Sequence, residues 1–149
     1  MAYWLICNSG AGDGERGRDF WLEHLATAGI HDPLCRDFEE SGWSTRLDDR
    51  DTLIVAGGDG SVSRAVAVCL EKGATLAVLP SGTANDFARN LGLPHQPGAL
   101  CKLIASGRII TPAECEARLQ GNHPLRSGRR EGPVAFHRGG QWRFFWRWQ

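Results

Sequence analysis

Apolar and polar positions alternate along this chain with two distinct periods. Tyr3–Cys7 (YWLIC), Thr52–Ala56 (TLIVA) and Thr75–Leu79 (TLAVL) are short apolar runs bounded by polar or glycine residues, the pattern of strands buried on both faces. Leu34 and Cys35 form a weaker strand signal. Between these runs the apolar residues fall at helical spacing. Trp21, Leu22, Leu25 and Ala28 predict a helix over Arg18–Ala28 closed by Gly29. Val62, Ala65, Val66, Cys69 and Leu70 predict one from Ser61 to a stop at Gly73. Ala99, Leu100, Leu103 and Ile104 predict one over Pro97–Ser106, with proline near its start. A further helix begins in Asn85–Asn90, Arg108–Thr111 reads as a last strand, and Pro112–Arg118 as a short helix. Asp37–Asp51 is acidic and irregular, with room for one helical turn. Strands alternating with helices predict an α/β fold, a parallel sheet with helices on both faces. Ligands in such folds bind outside the carboxyl ends of the strands.

Beyond Thr111 the periodicity fades. Gly121–Gly140 is rich in Arg and Gly, and the chain closes on QWRFFWRWQ. The expected division is one compact domain over residues 1–111 and an atypical, irregular or disordered Arg/Trp-rich tail over 112–149. Trp and Arg suit a lipid headgroup region, so Gln141–Gln149 also reads as an interfacial anchor. The formal net charge is zero and 42% of residues are hydrophobic, which fits a soluble globular chain and argues against nucleic-acid binding by bulk charge. Five cysteines, an odd number without a CxxC pair, read as reduced thiols of a cytoplasmic protein. No secretory signal or bilayer-length apolar run is present, so any membrane contact is expected to be peripheral.

The chemistry gathers where strands break into glycine turns. In Gly57-Gly58-Asp59-Gly60-Ser61 the glycines permit a sharp turn and close backbone approach to a ligand. Ser61 reads as the N-cap of the next helix, whose free N–H groups and positive dipole end suit phosphate. Asp59 is suited to orienting a hydroxyl or to holding Mg²⁺ or its water shell. Pro80-Ser81-Gly82-Thr83-Ala84-Asn85-Asp86 repeats the logic: Gly82 allows close approach, Thr83 supplies a hydroxyl, and Asn85 or Asp86 caps a helix. Asn8-Ser9-Gly10-Ala11-Gly12 is a third turn at a strand end. A single such turn is equally well a ligand-free capped βα turn, but two at one sheet edge favour a phosphate ligand. Neither GxxxxGK[ST] nor GxGxxG is present, which disfavours P-loop and Rossmann sites. The five histidines are scattered without a carboxylate partner, and Asp48, Asp49 and Asp51 read as a solvated acidic loop.

With GGDGS at Gly57–Ser61 and LPSGTANDFARNLGLP at Leu79–Pro94, the chain resembles the diacylglycerol kinase catalytic family from about Tyr3 to Ile110, most closely its bacterial diacylglycerol and YegS-like lipid kinases. The resemblance implies an N-terminal domain of the NAD-kinase/diacylglycerol-kinase type. It also implies ATP and Mg²⁺ as cofactors, and transfer of the γ-phosphoryl group to a lipid hydroxyl at a membrane surface. ATP's phosphates would lie against Gly57–Ser61, with Thr83 and the turn at Asn8, Ser9 and Gly10 also contacting nucleotide. The expected binding set is thus Asn8, Ser9, Gly10, Gly57, Gly58, Asp59, Gly60, Ser61, Gly82, Thr83, Asn85 and Asp86, with Asp59 the candidate metal ligand. The sequence departs from the family in carrying Asn8-Ser9 for Asn-Pro, Ser63 for Asn and Arg64 for Glu. The family's β-rich second domain, which holds the carboxylate expected to act as general base, is not recognisable after Ile110. The alternative reading is a non-catalytic nucleotide-binding module or a kinase remnant. Nucleic acid is not an expected partner, and a homodimer is left open.

Overall fold

The computed structural model describes residues 1–8, 15–81, 88–89 and 93–107, together with the backbone of 134–138 and 141–145. Four strands, β1 (Tyr3–Cys7), β2 (Leu34–Asp37), β3 (Thr52–Gly57) and β4 (Thr75–Pro80), form one parallel sheet in the order β2-β1-β3-β4. The register pairs Cys7 with Asp37 on one side and with Ala56 on the other, while Gly57 pairs with Pro80. The carboxyl ends of all four strands therefore share one edge.

Helix α1 (Arg18–Thr27) joins β1 to β2, whereas α2 (Asp59–Lys72) joins β3 to β4 on the other side of β1. Right-handed crossovers running in opposite directions along a sheet deliver their helices to opposite faces. Two separate cores follow. On one face Trp21 and Leu25 of α1 pack with Leu5, Ile54, Leu79 and with Leu100 of α3 (Pro97–Ala105). On the other, Val62, Ala65, Val66 and Cys69 of α2 pack with Ile6, Leu53, Val55, Phe38 and Trp43. The predicted two-sided α/β sheet is thereby observed.

The helix stops are those that the sequence marks. Gly73 takes the left-handed conformation after α2 at φ 73°, and Gly29 does so beyond α1 at φ 99°. The β2 strand runs two residues beyond its sequence signal, to Asp37. The acidic segment after it contributes a 3₁₀ turn, Trp43–Arg46, whose Trp43 is buried. Most of the Asn85–Asn90 helix, the Arg108–Thr111 strand and the Pro112–Arg118 helix lie outside the described residues, of which Ala88 and Arg89 are helical. Within the tail, Val134–Arg138 and Gln141–Phe145 pair as an antiparallel hairpin.

Asp51 departs from the sequence reading. It is buried rather than solvated, and its carboxylate accepts from Ala2 N (2.8 Å), Trp4 Nε1 (3.0 Å) and Asp48 N (3.0 Å). Three donors converge on it because the amino ends of β1 and β3 lie side by side there.

Cys7, Cys35, Cys69 and Cys101 are free thiols, and Cys115 lies outside the described residues. Burial pushes Cys69 from 9.0 up to about 12 and Cys101 up to about 11. Burial likewise raises Cys7 to about 11, against the nearby Arg18 guanidinium, which lowers it. A thiol raised in the folded state keeps its full contribution below its unfolded value near 9 and loses it as pH climbs toward the folded value. Stability should therefore fall above pH 9, with Cys69 alone contributing a loss approaching about 1.4 kcal/mol per pH unit. Urea unfolding at pH 8 and pH 10.5 checks this. An unchanged midpoint in a Cys69→Ala-corrected comparison would contradict it.

Candidate functional site

The strand order reverses between β1 and β3, and in open α/β sheets this switch point is where a crevice opens beyond the carboxyl ends. Asn8 leaves β1 and Gly57 ends β3 at that point. Asn8 N–H donates to Ala56 C=O at 3.4 Å, and its Nδ2 donates to Ser61 Oγ at 3.1 Å. The first and second glycine turns are thus joined directly across the switch point. The second and third are joined as well, because Ser81 N–H donates to Gly57 C=O at 3.0 Å.

Ser61 does not cap α2, as the sequence suggested. The N-cap is Gly58, in extended conformation at φ −89° and ψ −172°, so Asp59, Gly60 and Ser61 form the first helical turn. The first bond into the helix runs from Val62 N–H to Gly58 C=O at 3.0 Å. The amides of Gly60 and Ser61 precede the helix's own ladder, and such first-turn amides suit a ligand or water. The Ser61 hydroxyl is buried and spent on Asn8, so it braces the turn from beneath.

The glycines divide by role. A Cβ on Gly57 would lie 2.7 Å from Ser61 Cβ and 2.8 Å from Ser61 Oγ, so glycine is required by the chain's own packing. A Cβ on Gly60 would meet nothing within 4 Å, and Gly60 is exposed. That open position on the first turn is where a bulky anion has room to approach. Between them Gly57, Asp59, Val62, Pro80 and Ala88 line a dimple too tight for water, so a polyphosphate would lie over the turn rather than inside it. A wider groove of about 410 Å³ beyond β2 is lined by Arg36, Glu40, Trp43 and Arg46 and contains none of the motif residues.

Asp59 is half-buried on the first turn of α2. Among the described residues no group of three or more His, Cys, Asp or Glu side chains is arranged to hold a metal ion. Mg²⁺ is commonly held by one or two carboxylates with waters and phosphates completing its shell, and Asp59 is the carboxylate on the first turn of α2. Arg64, which stands where the resembled family has Glu, points elsewhere. Its Nη1 lies 3.0 Å from Glu39 Oε1 and its guanidinium sits 4.8 Å over the Phe38 ring. Ser9, Gly10, Gly82, Thr83, Asn85 and Asp86 lie outside the described residues.

Two features at this edge carried no sequence signal. Arg18, the first residue of α1, places its guanidinium beside the Cys7 thiol at the end of β1. Trp21, fully buried, donates its indole N–H to Ser81 Oγ at 2.9 Å. Side-chain reach from a helix back to a loop 60 residues away has no local pattern to reveal it.

An open parallel sheet with linked glycine turns at its switch point defines an α/β protein of the kind that takes ligands beyond its strand ends. The comparisons narrow that class. Residues 2–115 match the diacylglycerol kinase catalytic domain, and the chain belongs to that family. It is 52% identical over 72 residues to a probable lipid kinase YegS-like protein of Pseudomonas aeruginosa, covering 46% of this chain and 24% of that protein. It is 33% identical over 100 residues to a diacylglycerol kinase of Bacillus subtilis, covering 54% of this chain and 31% of that one. A solved structure of a putative diacylglycerol kinase from Bacillus anthracis superposes with a TM-score of 0.55 at 30% identity, covering 72% of this chain and 42% of its own. The chain thus spans about a quarter to a third of the length of these curated relatives.

Proposed function

We propose that this chain is the ATP-binding domain of a lipid kinase that transfers the γ-phosphoryl group of ATP to a lipid hydroxyl such as that of diacylglycerol. The observation that carries the reading is the joining of Asn8, Gly57–Ser61 and Ser81 at the switch point, within a chain of the diacylglycerol kinase catalytic family. On this reading the amides at the start of α2 bind the phosphates and Gly60 leaves them room. Asp59 orients the Mg²⁺ that neutralises charge on the transferring group, and most of the rate comes from positioning and electrostatics. Ser9, Gly10, Gly82, Thr83, Asn85 and Asp86 complete the nucleotide contacts by the family's motifs. Among the described residues no helix is long and apolar enough to cross a membrane. On the family's resemblance, the lipid is met peripherally at a membrane surface from the cytoplasmic side.

Calorimetry with Mg·ATP tests the binding, and labelled ATP with diacylglycerol in detergent micelles tests the transfer. Mg·ATP is expected to bind the wild-type chain. Loss of one charge-assisted contact in Asp59→Ala should weaken binding about tenfold or more. Absence of any nucleotide binding would overturn the proposal. Binding without labelled lipid would instead favour the second reading, a nucleotide-binding module without turnover.

A further inference from the structure

We propose that Trp21 is a positioning residue for the phosphate-holding turns, acting through Ser81; this role rests on the nucleotide-binding reading above. Trp21 lies wholly inside the core beneath the sheet, among Leu5, Leu25, Leu79 and Leu100. Its ring meets Phe20 edge-on, with centroids 5.0 Å apart and planes at 82°. Phenylalanine or leucine would fill an apolar site without importing a polar atom. A buried indole N–H must instead find an acceptor. Here the acceptor is Ser81 Oγ, 2.9 Å away, whose own proton is directed to Leu79 C=O at 3.3 Å. The Ser81 amide is bonded in turn to Gly57 C=O at 3.0 Å. One residue is thereby held from three sides. It is the residue that immediately precedes Gly82-Thr83 in the second motif.

The tether matters because the strand ends that enter the two turns cannot supply it. Gly57 and Pro80 have no side chain able to hydrogen-bond, and the β3–β4 ladder ends between them. Without the indole bond, Ser81 keeps its local hydroxyl bond to Leu79 C=O and its backbone bond to Gly57, but its tie to α1 is lost. A phosphate site spread over two turns depends on their spacing, and small misplacements are costly to binding and transfer. Trp21 links α1 on one face of the sheet directly to Ser81 and, through Ser81, to Gly57.

The test compares the unaltered chain with Trp21→Phe, Ser81→Ala, the double variant and Leu25→Val. Leu25 is fully buried in the same cluster and serves as a packing control. Trp21→Phe and Ser81→Ala should each weaken Mg·ATP binding by calorimetry about three- to tenfold, the worth of one hydrogen bond, with no further loss in the double variant. The Ser81 amide should exchange faster in Trp21→Phe without nucleotide. Leu25→Val should lower the melting temperature while leaving affinity unchanged. Ser81→Ala, which removes only a hydroxyl, carries the test if Trp21→Phe does not fold. Unchanged affinity in Ser81→Ala and Trp21→Phe, or an equal loss in Leu25→Val, overturns the positioning role alone. Failure of the wild-type chain to bind Mg·ATP overturns the nucleotide reading, and this role with it.

Discussion

Replacing Asp51 by alanine is expected to cost about 3 kcal/mol of folding stability and about 10 °C in melting temperature. The carboxylate accepts three hydrogen bonds, from Ala2 N, Trp4 Nε1 and Asp48 N, and Trp4 is itself only 4% exposed. Truncation leaves that indole donor buried without an acceptor, which costs more than the net worth of the bond it made. The main chain of the same residue is equally committed. Asp51 C=O accepts from Thr75 N–H at 3.0 Å, and Thr52 N–H is bonded to Ala2 C=O at 2.9 Å. A single residue therefore ties the amino ends of β1, β3 and β4 together. Asp51→Asn retains one acceptor oxygen but turns an amide toward donors, so about half the loss is expected. Urea unfolding of the three proteins decides it. A loss below about 1 kcal/mol in Asp51→Ala would mean that water replaces the carboxylate without penalty.

The contrast with what the sequence revealed is instructive at this residue. Period and punctuation exposed the elements well: YWLIC, TLIVA and TLAVL became β1, β3 and β4, and α2 stopped at Gly73, which takes the left-handed conformation. Burial on both faces leaves a strong one-dimensional trace. Asp51 left none, because Asp48, Asp49 and Asp51 are identical in type and only the fold decides which of them faces the indole of a residue 47 positions away. The site divides the same way. The motifs marked Gly57–Ser61 correctly as a turn at the carboxyl edge, but the job of Ser61 depended on Asn8, 53 residues distant. A hydroxyl three residues after glycine at a helix start suits either capping or bracing, and only tertiary contact separates the two. Trp21 was legible as a core residue from its spacing, while the destination of its N–H was not.

Gly57 and Gly60 should answer oppositely to the same substitution. Gly57→Ala is expected to destabilise the fold by about 2 kcal/mol and to weaken Mg·ATP binding at least tenfold. The added Cβ would sit 2.7 Å from Ser61 Cβ, a backbone-anchored atom that cannot swing away as a flexible side-chain end would. The start of α2 must then shift from β3, carrying with it the amides proposed to face the phosphates. Removing the obstructing atoms in Gly57→Ala/Ser61→Gly should recover stability beyond the sum of the single changes by about 1 kcal/mol or more, the signature of direct contact. Gly60→Ala meets nothing within 4 Å and lies inside a helix, so it should gain about 0.5–1 kcal/mol. If the phosphates lie over this turn, the new methyl group occupies their approach, and binding should fall while stability rises. Chemical unfolding and calorimetry on the wild type, Gly57→Ala, Ser61→Gly, their double variant and Gly60→Ala separate these effects. Undiminished binding in Gly60→Ala would place the phosphates away from the first turn of α2, whereas a loss there with gained stability assigns Gly57 to the fold and Gly60 to the ligand.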